Sequence, residues 1–80
     1  DIEEYANELR FETPEHSELF YAVMELPEKY RTVIYLHYYE DYSTDEIAQL
    51  TNTPAATVRT RLRRGRELLR AGLEEAKSNV

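Results

Sequence analysis

The sequence predicts an all-α fold, a four-helix domain containing a helix-turn-helix and no β wing. Three observations carry this. Apolar residues recur at three- and four-residue spacing, and no stretch alternates with the period of two that a half-buried strand needs. Helix starts are written three times, as Thr13-Pro14-Glu15, as Ser43-Thr44-Asp45-Glu46 and as Thr53-Pro54. A short capped helix, a tight turn and a long basic helix then follow in that order, which is the order of a helix-turn-helix.

Residues 1–13 read as an acidic linker or short helix, with Ile2, Tyr5, Ala6 and Leu9 at helical spacing. The domain is expected to run over 14–76 and residues 77–80 to fray. In the first helix, Thr13 at the N-cap and Pro14 at the first position start a segment with Leu19, Phe20, Val23 and Met24 on one face. It stops at Leu26-Pro27, because the residue before a proline is pushed out of the α region. The second helix spans roughly 27–39, with Tyr30, Val33, Ile34 and His37 or Tyr38 inward, and a turn at Glu40-Asp41-Tyr42 follows. Ser43 and Glu46 form a capping box, each side chain serving the other residue's amide. The third helix, with Ile47, Ala48 and Leu50 as its apolar residues, runs to about Thr51. Asn52 stands where the turn wants a left-handed backbone, which asparagine tolerates. Thr53-Pro54 caps a fourth helix over 54–74, weakened only by Gly65 and Gly72.

Composition excludes several classes. Eighty residues make one domain. With no cysteine, disulfides and thiolate metal sites are excluded, and His16 and His37 lie too far apart to suggest a metal pair, so no metal or cofactor is expected. No nucleophile–base pair or phosphate loop marks an enzyme, and no small-molecule substrate is expected. No apolar run approaches the ~20 residues of a membrane span, and no secretory leader opens the chain, so a cytoplasmic protein without membrane contact is the expectation. The start at Asp1 suggests a piece of something longer.

The net charge of −6 argues against a nucleic-acid partner until its distribution is read. Residues 1–54 hold thirteen acids and three bases, whereas residues 55–80 hold seven bases and three acids. Six of those bases are arginines between Arg59 and Arg70. An acidic body with one basic face suits a domain that touches DNA with one helix and a protein with the rest.

At about 100° per residue, Val58, Leu62, Gly65 and Leu69 share one face of the fourth helix, and Ala56, Thr60 and Arg63 lie opposite. Arg59 and Arg64 occupy the shoulders. Arginine donates two hydrogen bonds to guanine, and threonine bonds a base or gives methyl contact to thymine. Arg61 and Arg66, nearer the core boundary, suit phosphate contacts or ion pairs. An arginine run on a helix is more often a plain solvated face, but this one follows a capped helix and a tight turn. His37 reads as a core or partner-face residue rather than a ligand. The tyrosines Tyr30, Tyr35, Tyr38, Tyr39 and Tyr42 are too many for one core, so an exposed aromatic patch on the second helix is expected as a protein interface.

Three separated blocks, in order, resemble region four of bacterial sigma factors, closest to the extracytoplasmic-function group. They are Leu26-Pro27-Glu28-Lys29-Tyr30-Arg31, then Tyr42-Ser43-Thr44-Asp45-Glu46-Ile47-Ala48, then the run from Thr53-Pro54 through Val58-Arg59-Thr60-Arg61-Leu62-Arg63-Arg64-Gly65-Arg66. The resemblance covers about residues 15–75. It implies a four-helix domain that reads the promoter −35 element in the major groove while docking on the flap of core RNA polymerase. By position, Arg59, Thr60, Arg63 and Arg64 match the base- and phosphate-contacting segment, with Ala56, Thr57, Arg61 and Arg66 on the same helix. Ser43 and Thr44 match a segment near phosphates. The first two helices, with Tyr30, Tyr35, Tyr38 and Tyr39, match the polymerase-facing part, for which an anti-sigma factor competes. Region two, which would melt the −10 element, is not in this sequence.

Two other readings fit parts of the sequence. A free-standing helix-turn-helix regulator of the response-regulator type would dimerise on paired half-sites, and the Leu26-Pro27 block favours the sigma reading over it. A sigma-like module that only binds an anti-sigma protein has no need of the arginines from Arg59 to Arg66.

Overall fold

The computed structural model describes residues 18–78, with side chains through residue 73. Four helices follow in order: α1 (Glu18–Met24), α2 (Glu28–Tyr38), α3 (Thr44–Leu50) and α4 (Ala55–Ser78). Among the described residues there is no strand. The Thr13-Pro14 start, the acidic stretch before it and residues 79–80 lie outside the described residues. The last helix continues to Ser78, beyond the end near residue 74 that the sequence suggested.

α4 is the spine, and α1, α2 and α3 all pack on it. Its apolar residues Val58, Leu62 and Leu69 meet Leu19 and Val23 of α1, Leu26 of the turn that follows, Val33 and Ile34 of α2, and Ile47 of α3 in one core. Each such side chain contributes about 1.5–3 kcal/mol when fully buried. Gly65 makes the closest approach possible. A Cβ there would meet Ile34 Cγ1 at 2.9 Å and Cδ1 at 3.2 Å, so α4 presses its backbone directly onto α2.

Local bonds set the connections. The break before Pro27 is closed by Arg31, whose Nη1 donates to the Met24 carbonyl at 3.3 Å and so covers the negative end of α1. At the end of α2 the backbone turns left-handed at Asp41 (φ 61°), and the Tyr42 amide reaches the Leu36 carbonyl at 3.0 Å. His37 Nδ1 holds the Tyr42 carbonyl at 2.8 Å, which makes His37 a structural residue of this loop. The capping box forms as expected: the Glu46 amide donates to Ser43 Oγ at 3.1 Å, and the Ser43 amide donates to Glu46 Oε1 at 2.9 Å. The Ser43 amide, and after it the Ser43 hydroxyl, favour the ionised Glu46 carboxylate and hold its carboxyl below the usual range.

Asn52 is left-handed (φ 51°), as the turn requires. Its amide donates to Gln49 and the Thr53 amide to Ala48 (2.9 Å), the paired bonds of a Schellman ending to α3. Thr53 differs from expectation, since its hydroxyl donates back to the Thr51 carbonyl at 3.0 Å and tightens the turn. Helix α4 then starts at Ala55, and the Val58 amide bonds the Pro54 carbonyl. Leu50, which reads as an apolar helix residue, is 59% exposed.

Candidate nucleic-acid interface

The first ten residues of α4 present one continuous polar face. Ala56, Arg59, Thr60, Arg63 and Arg64 are exposed, and Thr57 and Arg61 are half-buried at its edges. The face exists because the helix seats itself through Val58 and Leu62, which turns residues two and five places from Val58 outward. Three fully charged guanidinium groups project from it, each able to donate in a planar fork. Thr60 Oγ1 donates to the Ala56 carbonyl at 3.1 Å, so its hydroxyl proton is engaged while its lone pairs and methyl face outward. Arg61 lines a cleft beside the turn with Glu28, Lys29, Thr51 and Thr53, so two cations and one acid border it.

Ser43 is exposed and Thr44 half-buried at the start of α3. Ser43 Oγ accepts from the Glu46 amide. The carboxylates of Asp45 and Glu46 stand in the same first turn and oppose an approaching anion there.

Arg66 corrects the expectation of a DNA contact. It has no exposed surface, and its Nη1 donates to the Tyr38 hydroxyl at 2.7 Å. A guanidinium enclosed in this way cannot meet a phosphate. The reason lies in the width of the buried stripe. Arg59 and Arg66 differ by only about 20° around the helix. Nevertheless Arg59 is exposed in the leading half of α4, whereas Arg66 lies beside the Gly65–Ile34 crossing, where α2 encloses it.

The tyrosines also sort differently from expectation. Tyr38 turns its hydroxyl inward to Arg66 and packs half-buried against the core. Tyr30 packs on the core under the Lys29 ammonium, 5.0 Å from its ring centre. Tyr39 lies against the core too, and burial pushes its hydroxyl above the ordinary tyrosine range. Tyr35 remains at the surface of α2. Its hydroxyl donates to the Glu40 carboxylate, which raises its pKa through that bond and the added negative charge.

Together these rings build an aromatic cluster between α1 and α2. Phe20 meets Tyr39 edge-on at 5.5 Å, Tyr35 and Tyr39 lie 5.6 Å apart, and Tyr21 joins Phe20 at 6.1 Å with 63% of its surface exposed. Beside it opens a cleft of about 410 Å³ lined by Phe20, Met24, Arg31, Thr32, Tyr35 and Leu36. Sequence reading missed Phe20 and Met24 as surface residues because helical spacing put them on the buried face with Leu19 and Val23. Their half-burial depends on how far α2 overlaps α1, which spacing does not report.

With this geometry in place, comparison with known proteins is decisive. The model of the family described as sigma-70, region 4 matches residues 16–69, more than half of the chain. The chain belongs to the sigma-70 region 4 family. The ECF RNA polymerase sigma factor SigW of Bacillus subtilis (strain 168) is 49% identical over 53 residues, which are 66% of this chain and 28% of that protein. The RNA polymerase sigma factor SigV of the same organism is 42% identical over 57 residues, 71% of this chain and 34% of that protein. This region 4 chain therefore spans about a third of the length of the relatives it matches. No solved structure matches it. Among the described residues no group of acids and histidines is placed to hold a metal, and no helix is long and apolar enough to cross a membrane.

Proposed function

We propose that this chain is the promoter-reading domain of a cytoplasmic RNA polymerase sigma factor, with residues 14–76 forming the domain. The leading half of α4 enters the major groove at the −35 element, and the α1–α2 face docks on the flap of core RNA polymerase. The observation that carries the reading is the exposed face of Ala56, Arg59, Thr60, Arg63 and Arg64 directly after a helix-turn-helix turn, in a chain of this family. Arg63 and Thr60, at the centre of the face, read base edges. Thr60 acts there as an acceptor or through its methyl group, since its proton is engaged. Arg59 and Arg64 flank them toward the two strands, and Arg61 with Lys29 meets phosphate. Ala56 and Thr57 allow close approach at the helix tip, and Ser43 and Thr44 stand near a neighbouring phosphate.

The apolar cleft beside Tyr35, with Phe20, Met24 and Leu36, supports the docking half of the reading. An anti-sigma factor that silences the protein would compete for the same face. Region 4 is a DNA-binding family, and the function is recognition rather than catalysis.

Selection of duplexes from a random pool by this chain tests the reading. A preferred sequence should emerge. Arg63→Ala should weaken binding to it by about 1–3 kcal/mol and relax the preference at one base pair. Tyr35→Ser should keep the helicity and the DNA preference yet lose co-purification with core polymerase. If no sequence is enriched while core polymerase or an anti-sigma protein is still bound, the chain is a protein-interaction module.

A further inference from the structure

Arg66 is a fully buried cation among the described residues, with one neutral partner and no carboxylate. Its guanidinium carbon lies 5.9 Å from the Tyr38 ring centre, and Nη1 donates to the Tyr38 hydroxyl at 2.7 Å. Nε and Nη2 are enclosed without a hydrogen-bond partner. Arginine does not shed its proton in proteins, so the charge stays. A buried charge held by one neutral hydroxyl is a poor source of stability, and an apolar side chain of similar volume commonly does as well or better. What the bond supplies is direction.

The bond joins residues 28 apart in sequence, the last turn of α2 and the middle of α4. The neighbouring residue, Gly65, is where the two helices touch, against Ile34 at one turn's distance from Tyr38. A backbone contact at a glycine holds two helices together at a point, but it leaves each able to turn about the other. A second, directional bond one turn along α2 removes that freedom.

We propose that Arg66 is a positioning residue which, through Tyr38, sets the rotation of the leading half of α4 and hence the direction in which Thr60 and Arg63 point. The inference rests on the reading of α4 as the DNA-contacting helix. Arg66 touches no DNA itself, so its removal should affect discrimination between sequences rather than general affinity for the backbone.

The test uses this chain with Arg66→Met, Tyr38→Phe and the pair combined, and Arg63→Ala as the exposed control. Each is titrated against the duplex selected by the wild type and against a scrambled duplex. Arg66→Met should keep its helicity and its urea midpoint, lose roughly tenfold in affinity for the selected duplex and bind the scrambled one as before. Tyr38→Phe should lose the same discrimination but with a lower urea midpoint, because it leaves the buried guanidinium without its hydrogen bond, and the combination should add little to the lost discrimination. If Arg66→Met fails to fold, Tyr38→Phe decides alone, since it deletes a single oxygen. Wild-type discrimination in the folded variants overturns the proposal. An equal loss on both duplexes also overturns it, because that is how a phosphate-binding cation behaves. A positioning failure is told from a failure of the DNA reading by the control: if Arg63→Ala leaves the selected duplex bound as before, α4 does not read bases and both fall together.

Discussion

At the scale of single residues, Ser43 and Glu46 show how much a local pattern decides. The serine hydroxyl and the glutamate carboxylate satisfy each other's amides, and α3 has only seven residues to hold itself in place. Ser43→Ala should lower stability by about 1 kcal/mol in urea unfolding. The contribution of Glu46 should depend on pH with a definite sign. Glu46 is held below its ordinary pKa of 4.5 in the folded chain, so its contribution is present above that value and disappears as pH falls through the folded pKa. Ser43→Ala keeps the backbone bond to the carboxylate, so it is wild type and Glu46→Ala that should converge in stability on acidification, and a constant gap between them down to the acid transition would refute the assignment. This cap, Asn52 and the outward Arg63 are legible in the sequence because each depends on residues within a turn or two. Arg66 is not, since whether a residue at the edge of a helix face is buried depends on the helix laid against it. Helical spacing allowed Tyr38 an inward place but could not name its partner, which lies 28 residues away.

At the scale of elements, the two glycines of α4 look alike in sequence and differ in structure. Nothing lies within 4 Å of a Cβ built at Gly72, whereas one built at Gly65 would strike the Ile34 side chain at 2.9 Å. Gly72→Ala should stabilise the chain by roughly 0.5–1 kcal/mol, the helix-propensity difference. Gly65→Ala gains the same propensity but must displace Ile34 near its backbone, and overpacking of this kind costs about 1–3 kcal/mol. The expected result is a net loss of about 1 kcal/mol by thermal or urea unfolding, and stabilisation by both substitutions would show that α2 yields easily. The boundaries of α2 and α3 follow from Pro27, the capping box and Asn52, and are close to what those residues predict. The direction of the tyrosines on α2 does not follow from pattern. Tyr30, Tyr35, Tyr38 and the C-cap Tyr39 compete for one stripe, and the contest is settled by Phe20 of α1 and Arg66 of α4, each from another part of the chain.

At the scale of the molecule, the burial of Arg66 reduces the cations free to meet DNA. Arg59, Arg63 and Arg64, with half-buried Arg61, remain on the face, against an acidic body that repels the duplex. With Arg63 reading a base, Arg59, Arg64, Arg61 and Lys29 leave four contacts for phosphate and imply a log–log salt slope of roughly −3 to −4. Arg64→Ala should reduce that slope by about 0.9 and Arg66→Met should leave it unchanged, as measured by titration at several salt concentrations. A slope near zero for the wild type would argue against DNA contact altogether. The unbroken 24-residue run of α4 has a mechanical consequence. It is a lever whose fulcrum lies where Gly65 rests on Ile34, with its tip ten residues ahead at Ala55, a lever arm of about 15 Å. A tilt of 2° at the fulcrum moves the tip by roughly 0.5 Å, as much as a hydrogen bond tolerates before it weakens. Angular play at the pivot is thus magnified into misalignment at the groove, and a volume change in the packing at Ile34 would alter aim before it altered affinity for the backbone.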